Sequence, residues 1–525
     1  MTVYHYAKTL EVFAQLRPDS DILVTNKSRI TVAELFQRSG CLAGHFHRLG
    51  VKAGDNIATM LINRPAIVET FYAALLLGAR PANVNPRYGP EEIAYILADA
   101  DARVLVHEAS AAAHAQAAVK LLGRPVHLLS AESAEYEQAL QGAPAPGRTP
   151  RPDDQIIWYT GGTTGMPRGV IWEIDTHYRM LWEVIKPNTE PPDPRALATN
   201  GRRKAPTTLP GSPLAHGTAM GLSLNAINGG GVIILHEQAS FDAPATLHLI
   251  ERECVAVLGI VGDAYARPLL AELDTGRWAG RLDSLKAITS SGAVWSARVR
   301  AGLRNHIAGV RLIDNFGSTE ALLKRDIDGS GFQPRPGLVV LKPDDTFVKP
   351  GSNEIGVIAT AGRLPKGYLN DPAKTAEVFR VIDGTRYLVI GDEAMIESDG
   401  RIKILGRGTS CINTGGEKVW PEEIEVTIRD HPEVADAAVF GMPDEKWGQK
   451  VTAVVTVRDS AKVSDEQLHA HCRGRLAGYK CPKQWIRIPH VPRTYVGKPD
   501  YKAIHQILDE MAVASQYPAN DSMRS

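Results

Sequence analysis

Disulfide chemistry is the first thing this sequence does not support. Its 525 residues include five cysteines, Cys41, Cys254, Cys411, Cys472 and Cys481, scattered and odd in number. That usage fits a reducing compartment rather than a cross-linked secreted scaffold. Long hydrophobic runs are missing too. The longest, near residues 71–79, falls far short of the ~20 apolar residues that span a bilayer. Residues 1–19 hold no basic segment followed by an apolar stretch, so no secretory leader is read there. A cytoplasmic protein without an integral membrane segment is expected. Charge of one sign is also lacking: Lys plus Arg and Asp plus Glu each number 59. A formal charge of zero removes the electrostatic footprint of a nucleic-acid or anionic-membrane partner. No internal repeat is found. The chain exceeds the roughly 250–300 residues that one core sustains, so more than one domain is expected.

A P-loop is absent as well, although glycines cluster strongly at 156–172. An apolar, β-branched run enters that stretch and another leaves it. Between them lie Gly161, Gly162, Gly165 and Gly169, the hydroxyls of Thr160, Thr163 and Thr164, then Pro167 and Arg168. Glycines bring backbone N–H groups close to a ligand, and concave N–H arrays suit a polyphosphate. No Gly-Lys-Ser/Thr opens a helix afterwards, which excludes the P-loop. A ligand-free glycine-rich hairpin is the plain alternative.

The stretch resembles the phosphate-binding loop of the adenylate-forming superfamily: acyl-CoA synthetases, peptide-synthetase adenylation domains and firefly-type luciferases. That loop usually reads Tyr-Thr-Ser-Gly-Thr-Thr-Gly-x-Pro-Lys-Gly-Val. Here Gly161 replaces the serine and Arg168 the lysine. Arginine is a planar fork and lysine a mobile point charge, so the second exchange is not neutral.

Around this loop, residues 1–150 alternate helix and strand patterns. Thr31 and Glu34 form a capping-box signature, with Leu35, Leu42, Phe46 and Leu49 at helical spacing after it. Strands are expected near 57–61, 79–84 and 102–106, and helices over 65–78 and 109–118. Such alternation argues for α/β layers around largely parallel sheets. Residues 187–213, rich in Pro, Asn, Thr and Gly, read as a loop. Its cluster Arg202, Arg203 and Lys204 is either a solvated patch or a phosphate contact.

Further segments resemble the superfamily in order. His216 follows Pro213-Leu214-Ala215, where the family carries a histidine lining its carboxylate pocket, although here Gly217 follows at once. Ser291, Gly292 and Ala293 end an expected strand, an edge where open α/β sheets bind ligands; the resemblance puts adenine there. Residues 312–320 resemble the family's x-x-Tyr-Gly-x-Thr-Glu, with Phe316 for the tyrosine. The resemblance implies nucleotide contacts for Asp314, Asn315, Phe316 and Thr319, and an acyl-pocket role for Gly317. Glu320 is the carboxylate that would hold Mg²⁺ against a triphosphate, since Mg²⁺ takes one or two carboxylates plus phosphate oxygens. Segments 354–358 and 367–370 read as chemically silent parts of a smaller β-rich subdomain. Asp392 is assigned to the ribose diol and Arg407 to ribose or phosphate.

Gly408 and Thr409 stand where the family pivots, so a 407–410 hinge is expected between an N-terminal domain, 1–406, and a C-terminal domain, 411–525. Gly415 and Gly416 open the second domain and face coenzyme A by resemblance. The histidines and cysteine of 469–472 lie on one helix with no second ligand pair nearby, so a surface helix is preferred to zinc. Pro492, Gly497 and Lys498 match the spacing of the family's adenylation lysine.

The fold class implied is α/β: layered α/β subdomains with a β-rich subdomain, then a small mobile α+β domain. The reaction implied is ATP-dependent acyl-CoA synthesis through acyl-AMP. Lys498, Glu320, Thr164 and Arg168 are its catalytic groups, and Thr164 with Glu320 the metal ligands. The rest of the nucleotide set is Thr160, Gly161, Gly162, Thr163 and Gly165. Substrates are ATP, coenzyme A and an apolar carboxylic acid, fatty or steroid-derived. The absence of a carrier domain after Lys498 favours free coenzyme A. An acyl-AMP ligase serving a carrier protein and a non-catalytic nucleotide-binding protein are the rival readings. A homodimer is compatible with any of them.

Overall fold

The computed structural model describes residues 3–160, 166–187, 189–199, 206–238, 240–292, 295–327, 336–407, 412–414, 417–444, 447–458, 463–476, 478–494 and 499–516. Their strands form four sheets. An eight-stranded sheet runs Leu322–Ile327, Arg311–Gly317, Ala287–Ser291, Val257–Ile260, Thr208–Pro210, Ile233–Ile234, Asp21–Val24, Arg29–Thr31. A seven-stranded sheet runs Gly367–Tyr368, Arg168–Glu173, Gln155–Thr160, Arg80–Asn83, Asn56–Met60, Ala102–His107, His127–Ser130. Inner neighbours pair parallel in both, and antiparallel strands lie at the margins.

These two sheets share one core. Ile22 and Leu23 of the first and Ile57, Val104 and Trp158 of the second pack with Leu35, Leu42, Phe46, Phe71 and Leu224 from intervening helices. Outer faces carry cores of their own, so successive residues such as Ile57 and Ala58 are both buried. Strands covered on both faces read as continuous apolar runs. Helix Val32–Arg48 starts at Thr31 with both hydrogen bonds of the expected capping box. Helix Pro65–Leu77 has proline in its first turn and ends on Gly78 at φ +77°, a left-handed cap.

A third sheet joins Leu338–Leu341, Gly356–Thr360, Thr385–Ile396 and Phe379–Ile382, with Ile402–Arg407 paired to Thr385–Ile396. The fourth lies in the C-terminal part. It holds Glu417–Val419, Ile412–Thr414, Gly448–Val457 and Val434–Asp444, with Gln484–Arg487 parallel to Gly448–Val457. Helices Pro421–Arg429 and Asp465–Arg473 pack on it. Trp420 Nε1 donates to Glu393 Oε2 at 3.2 Å and Arg267 to the Arg429 carbonyl at 3.3 Å, linking this part to the rest.

Two expectations are corrected. Residues 187–213 are not all loop: Thr208–Pro210 is an inner strand of the eight-stranded sheet, parallel to Val257–Ile260 and Ile233–Ile234. Its buried Thr208 and Leu209 draw their pairing from distant segments, which turn-rich composition hides. Gly367–Tyr368 does not join the β-rich sheet. It pairs antiparallel with Arg168–Glu173, beside the glycine-rich stretch.

Candidate active site

Strands Gln155–Thr160 and Arg168–Glu173 pair antiparallel with Thr160 opposite Arg168, so the glycine-rich stretch closes a hairpin. The chain leaves it as a strand, as expected. Gly169 follows at a point without room for a side chain. A Cβ there would stand 2.9 Å from Ile157 Cγ2 and 3.0 Å from Cζ of the Tyr159 ring.

Buried asparagines fix the segments around this hairpin. Asn83 Oδ1 accepts the Tyr159 N–H at 2.6 Å, while its Nδ2 donates to the carbonyls of Tyr159 at 3.0 Å and Ala215 at 2.7 Å. Asn63 Nδ2 donates to Pro210 O at 3.3 Å and Ser212 O at 3.0 Å, and its Oδ1 accepts the Leu214 N–H at 2.7 Å. Buried backbone groups outside a ladder need such partners. Neither asparagine was foreseen. The available signal was an asparagine at or just past the C-terminal end of a parallel strand, the ligand edge of such sheets.

The 210–216 segment so held delivers His216 to the start of helix Gly217–Asn228. Burial, reinforced by the charge of Arg87, pushes the His216 imidazole down to about 4. It is therefore neutral at pH 7 and adds no charge to a carboxylate pocket. A Cβ on Gly217 would lie 3.8 Å from Thr319 Cγ2, which sets this segment beside the next one.

Thr319 and Glu320 occupy the turn between antiparallel strands Arg311–Gly317 and Leu322–Ile327. Trp172 Nε1 donates to the Thr319 carbonyl at 3.1 Å, tying the turn to the strand that leaves the hairpin. Glu320 is 8% exposed, and its Oε1 accepts the Tyr368 hydroxyl at 2.7 Å. Burial, then the Glu320 charge, hold that phenol above its usual range, so it stays a donor. Among the described residues no cation and no second group bonds this carboxylate. A buried anion paired only with a neutral hydroxyl is costly, and hard oxygen donors suit Mg²⁺. The residues present therefore fit that ion. Tyr368, expected to be silent, is part of the site; its partner lies 48 positions away in sequence.

Arg168 Nε lies 3.4 Å from Asp371 Oδ2, with the two side chains 41% and 37% exposed. Such a pair is worth about 0–1 kcal/mol and leaves the guanidinium able to change partners. Strands Ala287–Ser291 and Arg311–Gly317 are parallel neighbours, with Ser290 opposite Asp314 and Ser291 opposite Asn315. Asn315 Nδ2 donates to Thr289 Oγ1 at 2.6 Å and Ser290 O at 3.0 Å, locking the two strand ends. Gly292 follows at φ +83° with open space where a Cβ would stand, so conformation rather than crowding selects glycine. Phe316 is half-buried and leans on the core of the third sheet. Asp392, 8% exposed, stands opposite Arg407 across that sheet.

Three groups of expected site residues are thus neighbours: the hairpin, His216–Gly217 and the Thr319–Glu320 turn. Ser291, Gly292, Asp314 and Asn315 sit together on adjoining strand ends, and the chain runs from the latter pair into that turn. Gly161, Gly162, Thr163, Thr164, Gly165, Ala293, Gly408, Thr409, Gly415, Gly416 and Lys498 lie outside the described residues, as does the cluster 202–204. At 469–472 the metal reading finds no support: His471 Nε2 bonds the Thr427 carbonyl at 2.9 Å and its ring packs edge-on to His431.

Known proteins resemble the chain in sequence and in fold. The family model described as AMP-binding enzyme matches residues 10–324, and that described as AMP-binding enzyme C-terminal domain matches 423–498. A 3-oxocholest-4-en-26-oate–CoA ligase of Rhodococcus rhodochrous is 34% identical over 94% of each chain. A medium-chain acyl-CoA ligase of Mycobacterium avium is 33% identical over 95% of this chain and 98% of its own. Among solved structures, an anthranilate CoA ligase in complex with anthranoyl-AMP superposes with a TM-score of 0.84 at 22% identity, covering 97% and 98% of the two chains.

Proposed function

The chain belongs to the AMP-binding enzyme family, and from that premise we propose that it joins an apolar carboxylic acid to coenzyme A at the expense of ATP. The substrate is a fatty or steroid side-chain acid, a reading supported by the acids for which its relatives are named. In the first half-reaction a carboxylate oxygen attacks the α-phosphorus, the bond to the bridging oxygen breaks, and pyrophosphate leaves. In the second, the thiol sulfur attacks the acyl carbon, the bond to AMP breaks, and the thiol proton passes to solvent.

Two anions meet in the first step, so the chain's task is to neutralise charge. Glu320 and Thr164 would hold Mg²⁺, which supplies positive charge to the phosphate oxygens when bound. The 161–165 backbone, Arg168 and Lys498 would add donors, and Asp392 and Arg407 would hold the ribose. Preorganised groups of this kind usually supply the largest catalytic contribution. The segment 407–410 serves as the pivot that withdraws Lys498 and brings Gly415 and Gly416 to the coenzyme A arm. The reaction runs in the cytoplasm, in keeping with the sparse cysteines and with described helices too short or too polar to cross a membrane.

One observation carries the reading: the buried Glu320 carboxylate, which no cation bonds among the described residues, lies beside the strand that leaves the glycine hairpin. The test separates the half-reactions. Lys498→Ala is expected to lose pyrophosphate exchange by about 10²–10³-fold, yet still to convert supplied acyl-AMP and free coenzyme A to thioester. Exchange left intact with thioester formation blocked defeats the assignment. Transfer to a carrier protein but not to free coenzyme A selects the rival ligase.

A further inference from the structure

A second constellation of ligating side chains lies well away from this site. His45 comes from helix Val32–Arg48, His127 opens strand His127–Ser130, and Glu135 sits on helix Ala134–Ala139. Glu135 Oε1 lies 2.8 Å from His127 Nε2 and 3.2 Å from His45 Nε2. One ligand atom from each residue falls within 4.8 Å of the others. Strand His127–Ser130 is the far edge of the seven-stranded sheet, four strand steps from Gln155–Thr160. At about 4.8 Å per step that is roughly 19 Å, too far for the cluster to touch the nucleotide.

Hydrogen bonding explains only half of the arrangement. His127 Nε2 and Glu135 Oε1 make a good bond. His45 Nε2 is buried and lies 3.2 Å from the same oxygen, at ion-pair distance but without good hydrogen-bond geometry. One carboxylate oxygen thus faces two imidazole nitrogens, and a poorly bonded buried nitrogen is destabilising. A cation between the three would satisfy all of them. Two imidazoles and one carboxylate are the donor set of open zinc sites, with bonds of about 2.0–2.2 Å. A tetrahedral ion with such bonds holds its ligand atoms about 3.3 Å apart. Glu135 Oε1 stands 2.8 Å and 3.2 Å from the two ring nitrogens, and the whole set lies within 4.8 Å, so the side chains would adjust to close on an ion. The three elements are packed: His45 is 16% exposed, while the 33% and 44% exposure of His127 and Glu135 leaves a fourth position to water. Arg48, on the His45 helix, is the opposing charge nearby; its guanidinium is drawn off to the Ala143 carbonyl at 3.3 Å.

We propose that His45, His127 and Glu135 form a binding site for a zinc-like divalent transition-metal ion, clasping two helices and the edge strand of the seven-stranded sheet. The site is structural, and an ion that binds only the folded chain raises its melting temperature. The full chain, stripped by chelator, is titrated with Zn²⁺ by calorimetry and with Co²⁺ by visible absorption. Wild type is expected to take up one equivalent that His127→Ala and Glu135→Ala bind at least about tenfold more weakly, as loss of a ligand requires. Zn²⁺ is expected to raise the melting temperature of wild type and not of either variant, with metal-free melting of all three closely similar. Pyrophosphate exchange measured in magnesium without zinc is expected to be unchanged. The proposal is overturned if wild type binds no equivalent that the variants lose, or if Zn²⁺ raises their melting temperatures equally.

Discussion

Glu320 is the carboxylate proposed to hold the metal ion, and among the described residues no cation bonds it. Its carboxylate is buried, and the Tyr368 hydroxyl satisfies one oxygen. Glu320→Gln keeps the shape and removes the charge. Its pyrophosphate exchange is expected to fall by about 10²–10³-fold, the usual cost of losing one preorganised electrostatic group. Tyr368→Phe tests a different link. The ring still fills its place, but the carboxylate loses the bond that aims it. The Mg²⁺ concentration for half-maximal exchange is expected to rise about 10–100-fold, the usual cost of losing a bond behind a ligand. Saturating Mg²⁺ should restore kcat. A fall in kcat at saturation, with no shift in the Mg²⁺ requirement, would show that Tyr368 orients something other than this carboxylate.

At the scale of elements, side-chain amides join site segments that the ladders leave apart. Asn83 fastens the strand into the glycine hairpin to the segment carrying His216. Asn83→Ala leaves several buried backbone groups without partners, at about 1–3 kcal/mol each. Loss of at least about 2 kcal/mol of unfolding free energy in urea is expected, together with a raised KM for the carboxylic acid. Leucine, similar in size to asparagine, should do no better, because the lost feature is polarity; recovery by leucine would mean that packing, not hydrogen bonding, positions the segment. These staples also mark where sequence reading stops. Strands such as Gln155–Thr160 and Ala102–His107 are legible because burial on both faces demands continuous β-branched runs, and helix Val32–Arg48 because its cap is local. Thr208–Pro210 and Tyr368 are not legible, since what defines each is a partner far away in the chain. The glycine-rich stretch is legible from its residues, whereas the roles proposed for Arg407 and Lys498 rest on resemblance, and that for Asp392 on resemblance and its acidic side chain.

For the whole molecule, the decisive feature is that the C-terminal part has its own core. Ile412, Val419, Ile424, Ile428, Val439, Val451 and Val455 pack with one another and with Leu468, in a cluster separate from those of the two large sheets. Among the described residues, the polar bonds that cross to the rest include Trp420 to Glu393 and Arg267 to Arg429. Damage to this core should therefore stay local. Ile424 is fully buried, and Ile424→Ala should remove about 2–5 kcal/mol from the C-terminal part. In scanning calorimetry a low-temperature transition should move down while the main transition, owed to the two large sheets, stays within a degree or two. The groups proposed for ATP, including Glu320, Ser291, Asn315 and Asp392, belong to the part left intact. Nucleotide should thus still raise the main transition, although adenylation and thioester formation both fail where the C-terminal part is unfolded. If the variant melts in one step shifted as a whole, the two parts fold as a single cooperative unit. A C-terminal part that rotates between half-reactions would then need a looser junction than those bonds provide.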